Sequence, residues 1–246
     1  MSIGENLLAA AKRHMEKQRL MAHVMPAIAA LLGGSVRDAV TAKLAALGMC
    51  KIASRCLKLH PSSRPVVEAS LKCVVTFGAS PGKLLLIHIC NFHVLSHLLL
   101  IYICKLHWNP EYAKEMGASD VCSSLEAAMV CHSGSDVCVE LFLQAVAALA
   151  GFDGNLKRLC ASGVLRWVAS LADHFLDREA LVAAACQAIS EVALDPECAE
   201  KMAGLRCSEL LVHILSGHRK NELVCSWACR AVGRCGSLPL FVLIPT

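Results

Sequence analysis

Apolar residues recur at i, i+3, i+4 and i+7 in three segments of the C-terminal half, which predicts three amphipathic helices. The segments are 136–150, 179–193 and 222–236, and each starts 43 residues after the one before it. They align without a gap, so that Ala145, Ala188 and Ala231 share one position. A fixed period of this length predicts stacked helical units that bury their flanks against each other.

Two further helices are predicted in each period. In the unit that ends with 179–193, a second helix covers 163–171 and a short first helix covers 155–160. Asp153-Gly154 and Asp195-Pro196 lie about one period apart and indicate turns between units, because Gly and Pro interrupt helices. The pattern therefore predicts three helices per unit, the first of them short.

An earlier copy of the unit is out of phase with these. Leu44 matches Leu159 and Gly48 matches Gly163, and the phase is restored by removing 29 residues at 82–110. Before this copy, 5–14 and 19–34 form the second and third helices of a partial unit. The predicted division is a partial N-terminal repeat at 1–37, repeats at 38–81, 111–152, 153–195 and 196–238, an insert at 82–110 and an apolar tail at 239–246.

The insert differs in composition from the rest of the chain. Residues 82–110 contain no Ala and no acidic residue, and 84–104 is a mostly apolar run of 21 residues, long enough to cross a bilayer. Three interpretations stay open: a transmembrane helix, a helix docked between repeats, or a segment foreign to the folded protein, such as translated intron sequence. His88, Asn91, His93 and His97 argue against the first. A membrane-associated adaptor anchored by 84–104 is the alternative function.

The apolar tail at 239–246 stands where a capping unit with a polar outer face is expected. The C-terminus therefore fits a truncated product, and we expect uncapped ends to favour self-association.

Composition narrows the class of protein. The chain is 56% hydrophobic and 4% aromatic, which suits close packing of helices through small side chains. A net charge of +4 falls short of that of a dedicated nucleic-acid binder, so no specific nucleic-acid partner is expected.

The first 20 residues lack the apolar core of a signal peptide, so the 15 cysteines are interpreted as reduced core residues. The expected location is the cytoplasm, with the nucleus as the alternative.

The period, the Gly before the second helix and the Ala-rich third helix together resemble the armadillo-repeat family, with HEAT repeats as the second choice. The resemblance covers the chain except 82–110 and the last few residues. It implies an all-α, right-handed superhelical solenoid with four three-helix repeats after the partial one. It also implies a concave groove, lined by the third helices, that binds a partner protein or an extended peptide.

Importin-alpha-like members of the family carry a Trp and an Asn four residues apart on the third helices. Neither residue occurs at the matching positions here, which argues against a nuclear-import receptor. The residues that the resemblance places in the groove have mixed charge: Lys72, Thr76, Glu140, Gln144, Gln187, Glu191, Arg230 and Arg234. Reversing the charge of Glu191 or Arg234 is expected to abolish binding without a change in helicity.

The sequence gives little indication of catalysis or of metal binding. No P-loop, G-x-G-x-x-G, G-x-S-x-G or H-E-x-x-H motif occurs, so neither an enzyme nor a cofactor is predicted. Cys225, Cys229 and Cys235, with His213 or His218, outline a zinc site, but no C-x2-C pair supports it and no metal is predicted.

Three histidines, His60, His132 and His218, occupy equivalent positions near the end of the second helix. We expect them to meet the terminal carbonyls of that helix. A metal-binding or pH-sensitive ladder is the alternative.

Overall fold

The computed structural model describes residues 3–32, 37–78 and 121–235, and these ranges contain helices and turns with no strand. The N-terminal helices are α1 (Ile3–Arg13), α2 (Gln18–Leu32), α3 (Arg37–Ala46), α4 (Met49–Leu59) and α5 (Arg64–Gly78). Those after residue 120 are α6 (Val121–His132), α7 (Asp136–Leu149), α8 (Asp153–Ala161), α9 (Val164–His174), α10 (Glu179–Val192), α11 (Pro196–Gly204), α12 (Cys207–Gly217) and α13 (Glu222–Cys235).

The helices group into five units in chain order. Unit 1 holds α1 and α2, unit 2 holds α3 to α5, and unit 3 holds α6 and α7 among the described residues. Unit 4 holds α8 to α10 and unit 5 holds α11 to α13. The predicted third helices α7, α10 and α13 begin at the predicted residue, and α7 and α10 end one residue early. The all-α solenoid that the period predicts is confirmed.

The third helices form one continuous layer. In chain order α2, α5, α7, α10 and α13 each pack on the next, and these are the most extensive helix contacts in the described part of the chain. α5 packs directly on α7, and α4 packs on α6, although residues 79–120 separate them in sequence. Units 2 and 3 are therefore neighbours in space.

The predicted insert at 82–110, its apolar run at 84–104 and the tail at 239–246 lie outside the described residues. Their three interpretations stay predictions. Among the described residues, no helix combines the length and the apolar character that a membrane span requires.

Small side chains allow a helix to be buried on both flanks. All twelve residues of α10 from Leu181 to Val192 are buried, and six of the first ten residues of the helix are Ala or Cys. α10 lies between α7 and α13, so close approach is needed on two sides. Such mutual burial is what stabilises a solenoid, because no unit has a core of its own.

Most of the described cysteines belong to this core. All thirteen cysteines in the described ranges are free thiols, and ten of them are buried. Burial raises the pKa of Cys56, Cys186 and Cys207 to about 12, because a buried thiolate loses its hydration. The interpretation of the cysteines as core residues is confirmed for the ten buried ones.

The turn before the second helix explains the glycine of the repeat. Gly48 precedes α4 with φ 84°, and Arg206 precedes α12 at the matching position with φ 61°. A side chain in this left-handed region is strained by contact of its Cβ with the backbone. Gly163 holds the same position before α9 with φ −75°, so its turn does not require glycine.

We predict that Gly48→Ala lowers the free energy of unfolding by about 1 kcal/mol. A Cβ at Gly48 meets no atom within 4 Å, so the loss comes from the backbone conformation alone. Gly204→Ala is the matched control, because Gly204 ends α11 in equally open space and has no positive φ. Urea denaturation followed by circular dichroism measures both; equal stability of the two variants would contradict the strain.

Candidate partner-binding face

The N-terminal residues of the predicted groove lie on the third-helix face, which we define as the side chains of α2, α5, α7, α10 and α13 that are not buried in the core. Lys72 is exposed on α5, and Thr76 follows it one turn later, half-buried. The Thr76 hydroxyl donates a hydrogen bond of 2.8 Å to the Lys72 carbonyl oxygen. Lys72 therefore offers its ammonium group to a ligand, while Thr76 is occupied with the backbone.

Glu140 and Gln144 lie on α7, both half-buried. The Gln144 Nε2 donates a hydrogen bond of 3.0 Å to the Glu140 Oε1. This pair leaves one carboxylate oxygen and the amide oxygen on the same face, so α7 presents acceptors to a ligand.

Gln187 and Glu191 are 9% and 6% exposed, respectively, because α13 covers this part of α10. The Arg234 guanidinium of α13 lies 3.7 Å from the Glu191 carboxylate. Its Nη1 also donates to the carbonyl oxygen and the hydroxyl of Ser190, at 2.6 and 3.0 Å. These residues hold unit 4 to unit 5, so charge reversal of Glu191 or Arg234 tests stability as well as binding.

Burial governs the electrostatics of this contact. Desolvation lowers the pKa of the Arg234 guanidinium, and the Glu191 carboxylate beside it acts in the opposite direction. The ion pair therefore offsets part of the cost of burying both charges.

Arg230, the remaining predicted groove residue, stacks on an aromatic ring. Its guanidinium carbon lies 5.4 Å from the centre of the Trp227 ring, one turn earlier on α13. Trp227 was not predicted as a groove residue, because the family pattern places its Trp at the position of Arg230. The helical period supplied the signal, since residues three apart on a helix share a face.

A cavity of about 370 Å³ opens on this face between α2 and α5. Small residues form its floor, among them Pro26, Ala29, Ala30 and Ala69, and Arg64, Glu68 and Lys72 form its polar side. The Arg64 Nε donates a hydrogen bond of 2.7 Å to the Glu68 Oε1. Arg64 and Glu68 were not predicted from the sequence, although Glu68 is the unit 2 equivalent of the predicted Glu140.

A second cavity, of about 660 Å³, lies away from this face where α6, α8, α9 and α11 meet. Glu126, Cys160 and Lys201 are among its lining residues. The Glu126 carboxylate reaches from unit 3 to the start of α9, where its Oε2 accepts from the Gly163 N–H at 3.4 Å. An acidic group at this helix N-terminus is favourable because it meets unpaired N–H groups.

Two of the three equivalent histidines, His60 and His218, form hydrogen bonds with the preceding unit. The His60 Nε2 lies 2.6 Å from the Met15 carbonyl oxygen, and the His218 Nε2 lies 2.7 Å from that of Leu176. The prediction that these histidines contact the terminal carbonyls of their own helix is therefore wrong for the Nε2 atoms. Their hydrogen-bond partners are carbonyl oxygens in the loop of the preceding unit, which packs against the imidazole rings. The His132 Nε2 is buried with no hydrogen-bond partner.

We predict that His60→Phe lowers the free energy of unfolding by about 1–3 kcal/mol, because it leaves the Met15 carbonyl without this donor. His132→Phe is the matched control: it removes a buried nitrogen that has no partner, so stability is unchanged or rises. Thermal melts of the two variants beside the parent protein measure the difference. A larger loss for His132→Phe would contradict the inter-unit hydrogen bond.

The predicted zinc candidates on α13 do not converge. The Cys225 Sγ donates to the His218 carbonyl oxygen at 3.2 Å, Cys229 is exposed and Cys235 is buried. Within the described ranges, the side chains that come together with metal-ligand spacing are instead Cys160, Asp195 and Cys198.

The sequence matches no family model and no curated protein. Solved structures do match it. Two engineered proteins from the Northeast Structural Genomics Consortium superpose with TM-scores of 0.56 and 0.57 at 13% and 15% identity, over 96% of this chain and 98% and 100% of theirs. A designed armadillo repeat protein in complex with the peptide (KR)4 superposes with a TM-score of 0.53 at 15% identity, over 95% of this chain and all of that one.

These similarities define the class of protein as a helical-repeat solenoid. Within that class, this chain is similar in fold to a designed armadillo repeat protein. At such low identity the likeness concerns the fold alone.

Proposed function

We propose that this protein is a non-enzymatic scaffold that binds an extended peptide segment of a partner protein along the third-helix face. The observation that carries the proposal is the cavity between α2 and α5, with a floor of small residues and charged groups beside it. Small side chains leave room for a side chain of the peptide, while the charged groups fix its orientation.

The polar groups on this face favour recognition of an extended backbone. Lys72 supplies a cation, Glu140 and Gln144 supply acceptors, and Arg230 is held over Trp227. The designed armadillo neighbour was solved with the strongly basic peptide (KR)4. Here the face carries both signs of charge, so we propose a ligand of mixed charge.

We also propose that the protein acts in the cytoplasm or the nucleus. The support is the set of free, buried thiols, which suits a reducing compartment.

The test begins with selection of binding peptides from a displayed random library, using the full chain as bait. Affinities of the selected peptides are then measured for the parent protein, Ala30→Trp and Lys72→Glu. Ala30 is exposed and lines the cavity, so tryptophan fills the space without entering the core. Lys157→Glu, a charge reversal at an exposed position on α8, is the control.

We expect both face variants to weaken binding by about tenfold or more, which corresponds to the loss of one well-placed contact, and the control to bind like the parent. Equal affinity for all four proteins would place the binding site elsewhere. Thermal melts of each variant separate a lost contact from a damaged fold.

A further inference from the structure

The junction of α8 and α11 brings three metal-ligating side chains together. The Cys160 and Cys198 Sγ atoms and a carboxylate oxygen of Asp195 all lie within 4.8 Å of one another. Cys160 ends α8 of unit 4, while Asp195 and Cys198 begin α11 of unit 5. Both thiols are buried and Asp195 is half-buried. The cluster therefore spans the contact between two repeats.

Packing of the repeat does not require sulfur at these positions. The residue equivalent to Cys160 is Ala203 in unit 5 and Ala45 in unit 2. The counterparts of Cys198 and Asp195 in unit 4 are Asn155 and Phe152. Since units 2, 4 and 5 have other residues at these equivalent positions, the combination of two thiols and a carboxylate is particular to this junction within the described part of the chain.

We propose that Cys160, Asp195 and Cys198 form a zinc site that fastens unit 4 to unit 5. Two thiolates with a carboxylate match the ligands that Zn²⁺ takes in proteins, whereas Mg²⁺ and Ca²⁺ take oxygen ligands. Tetrahedral Zn²⁺ with sulfur at about 2.3 Å and oxygen at about 2.1 Å keeps its ligand atoms roughly 3.5–3.8 Å apart. The observed spacing reaches this value with small side-chain rotations.

The surroundings suit an anionic metal centre. The Lys201 Nζ donates a hydrogen bond of 3.0 Å to the Cys160 carbonyl oxygen, which places a cation beside the cluster. Two thiolates, one carboxylate and Zn²⁺ sum to one negative charge. Lys201 offsets part of this charge and shares its ammonium group with the Glu197 carboxylate, 3.2 Å away. The N-terminus of α11 adds favourable partial charge, because Asp195 caps that helix and accepts from the Cys198 N–H at 3.0 Å.

Access and a fourth ligand are both available. Cys160 and Lys201 line the 660 Å³ cavity, so an ion and a water molecule can approach the cluster from solvent on the Cys160 side. The Cys198 Sγ donates a hydrogen bond of 3.6 Å to the Leu156 carbonyl oxygen, which places this oxygen beside the cluster. A water molecule from the cavity or this carbonyl completes the tetrahedron.

The test uses Co²⁺ as a spectroscopic probe for Zn²⁺. The full chain is purified under reducing conditions, freed of metal and titrated with Co²⁺ and then Zn²⁺. We expect one Co²⁺ per chain, a thiolate-to-cobalt charge-transfer band that Zn²⁺ removes, and a rise in the melting temperature on addition of Zn²⁺.

Asp195→Asn is the main variant, because asparagine also caps helices and so preserves the start of α11. Cys198→Ser is the second variant, and Cys186→Ser, a buried cysteine on α10, is the control. We expect the first two to weaken Co²⁺ binding by about 100-fold or more, since even indirect ligand partners contribute 10–100-fold. We expect the control to bind metal like the parent.

Two outcomes would overturn the site. One is the lack of a charge-transfer band while a thiol assay finds Cys160 and Cys198 reduced. The other is an equal band in Asp195→Asn, Cys198→Ser and the parent, which would place the metal on other thiols such as the exposed Cys131 and Cys229.

Discussion

Replacing Arg234 with alanine is expected to lower the free energy of unfolding by about 3 kcal/mol, because it leaves the buried Glu191 carboxylate without the guanidinium. Glu191 is 6% exposed, and the partner that α13 supplies lies 3.7 Å away. The variant also removes both Arg234 hydrogen bonds to Ser190. Since these contacts join α10 to α13, the loss weakens the contact between units 4 and 5.

Arg230→Ala is the matched control for this prediction, because it removes an arginine from the same helix one turn earlier. Its cation–π contact with Trp227 is partly exposed, so the expected cost is about 0.5–1 kcal/mol. A double replacement of Glu191 and Arg234 by methionine should restore most of the stability, because it removes both charges together. Urea unfolding measures all three, and equal losses for Arg234→Ala and Arg230→Ala would contradict the role of the buried pair.

The second large effect is expected at Phe142, which is fully buried on α7. Phe142→Ala should cost about 3–5 kcal/mol, through lost apolar contact and the cavity that remains. α7 lies between α5 and α10, so both flanking units lose support.

Val137→Ala on the same helix is the control for Phe142, since Val137 is 43% exposed and should change stability by less than about 0.5 kcal/mol. Thermal and urea unfolding compare the two variants. If Phe142→Ala were as stable as Val137→Ala, the described packing of α7 would be wrong.

The repeat architecture was predictable because the period of the apolar positions is a local property of the chain. It located α7 and α10 to within one residue at both ends and α13 at its start, and it predicted helices at 5–14 and 19–34, where α1 and α2 lie. Gly48 also indicated the start of the second helix of its unit, because few residues other than glycine adopt the left-handed conformation of that turn.

The candidate sites were less predictable because they depend on what a neighbouring unit contributes. Gln187 and Glu191 have the spacing of surface residues, but α13 covers them. Cys160 and Cys198 are 38 residues apart and share no motif, so only the stacking of α8 against α11 brings them together. His60 could be assigned to a helix end, but its acceptor belongs to the previous unit.

The direct packing of α5 on α7 bears on the order in which the chain folds. The Cys138 Sγ lies 3.9 Å from the Glu68 Oε1, and these residues are 70 positions apart in sequence. The corresponding contact of Asn221 with Glu179, between units 4 and 5, closes a separation of 42. Closing the longer loop costs about 0.5 kcal/mol more in chain entropy. Units 3 to 5 should therefore associate first, and the contact between units 2 and 3 should form in a later, slower step.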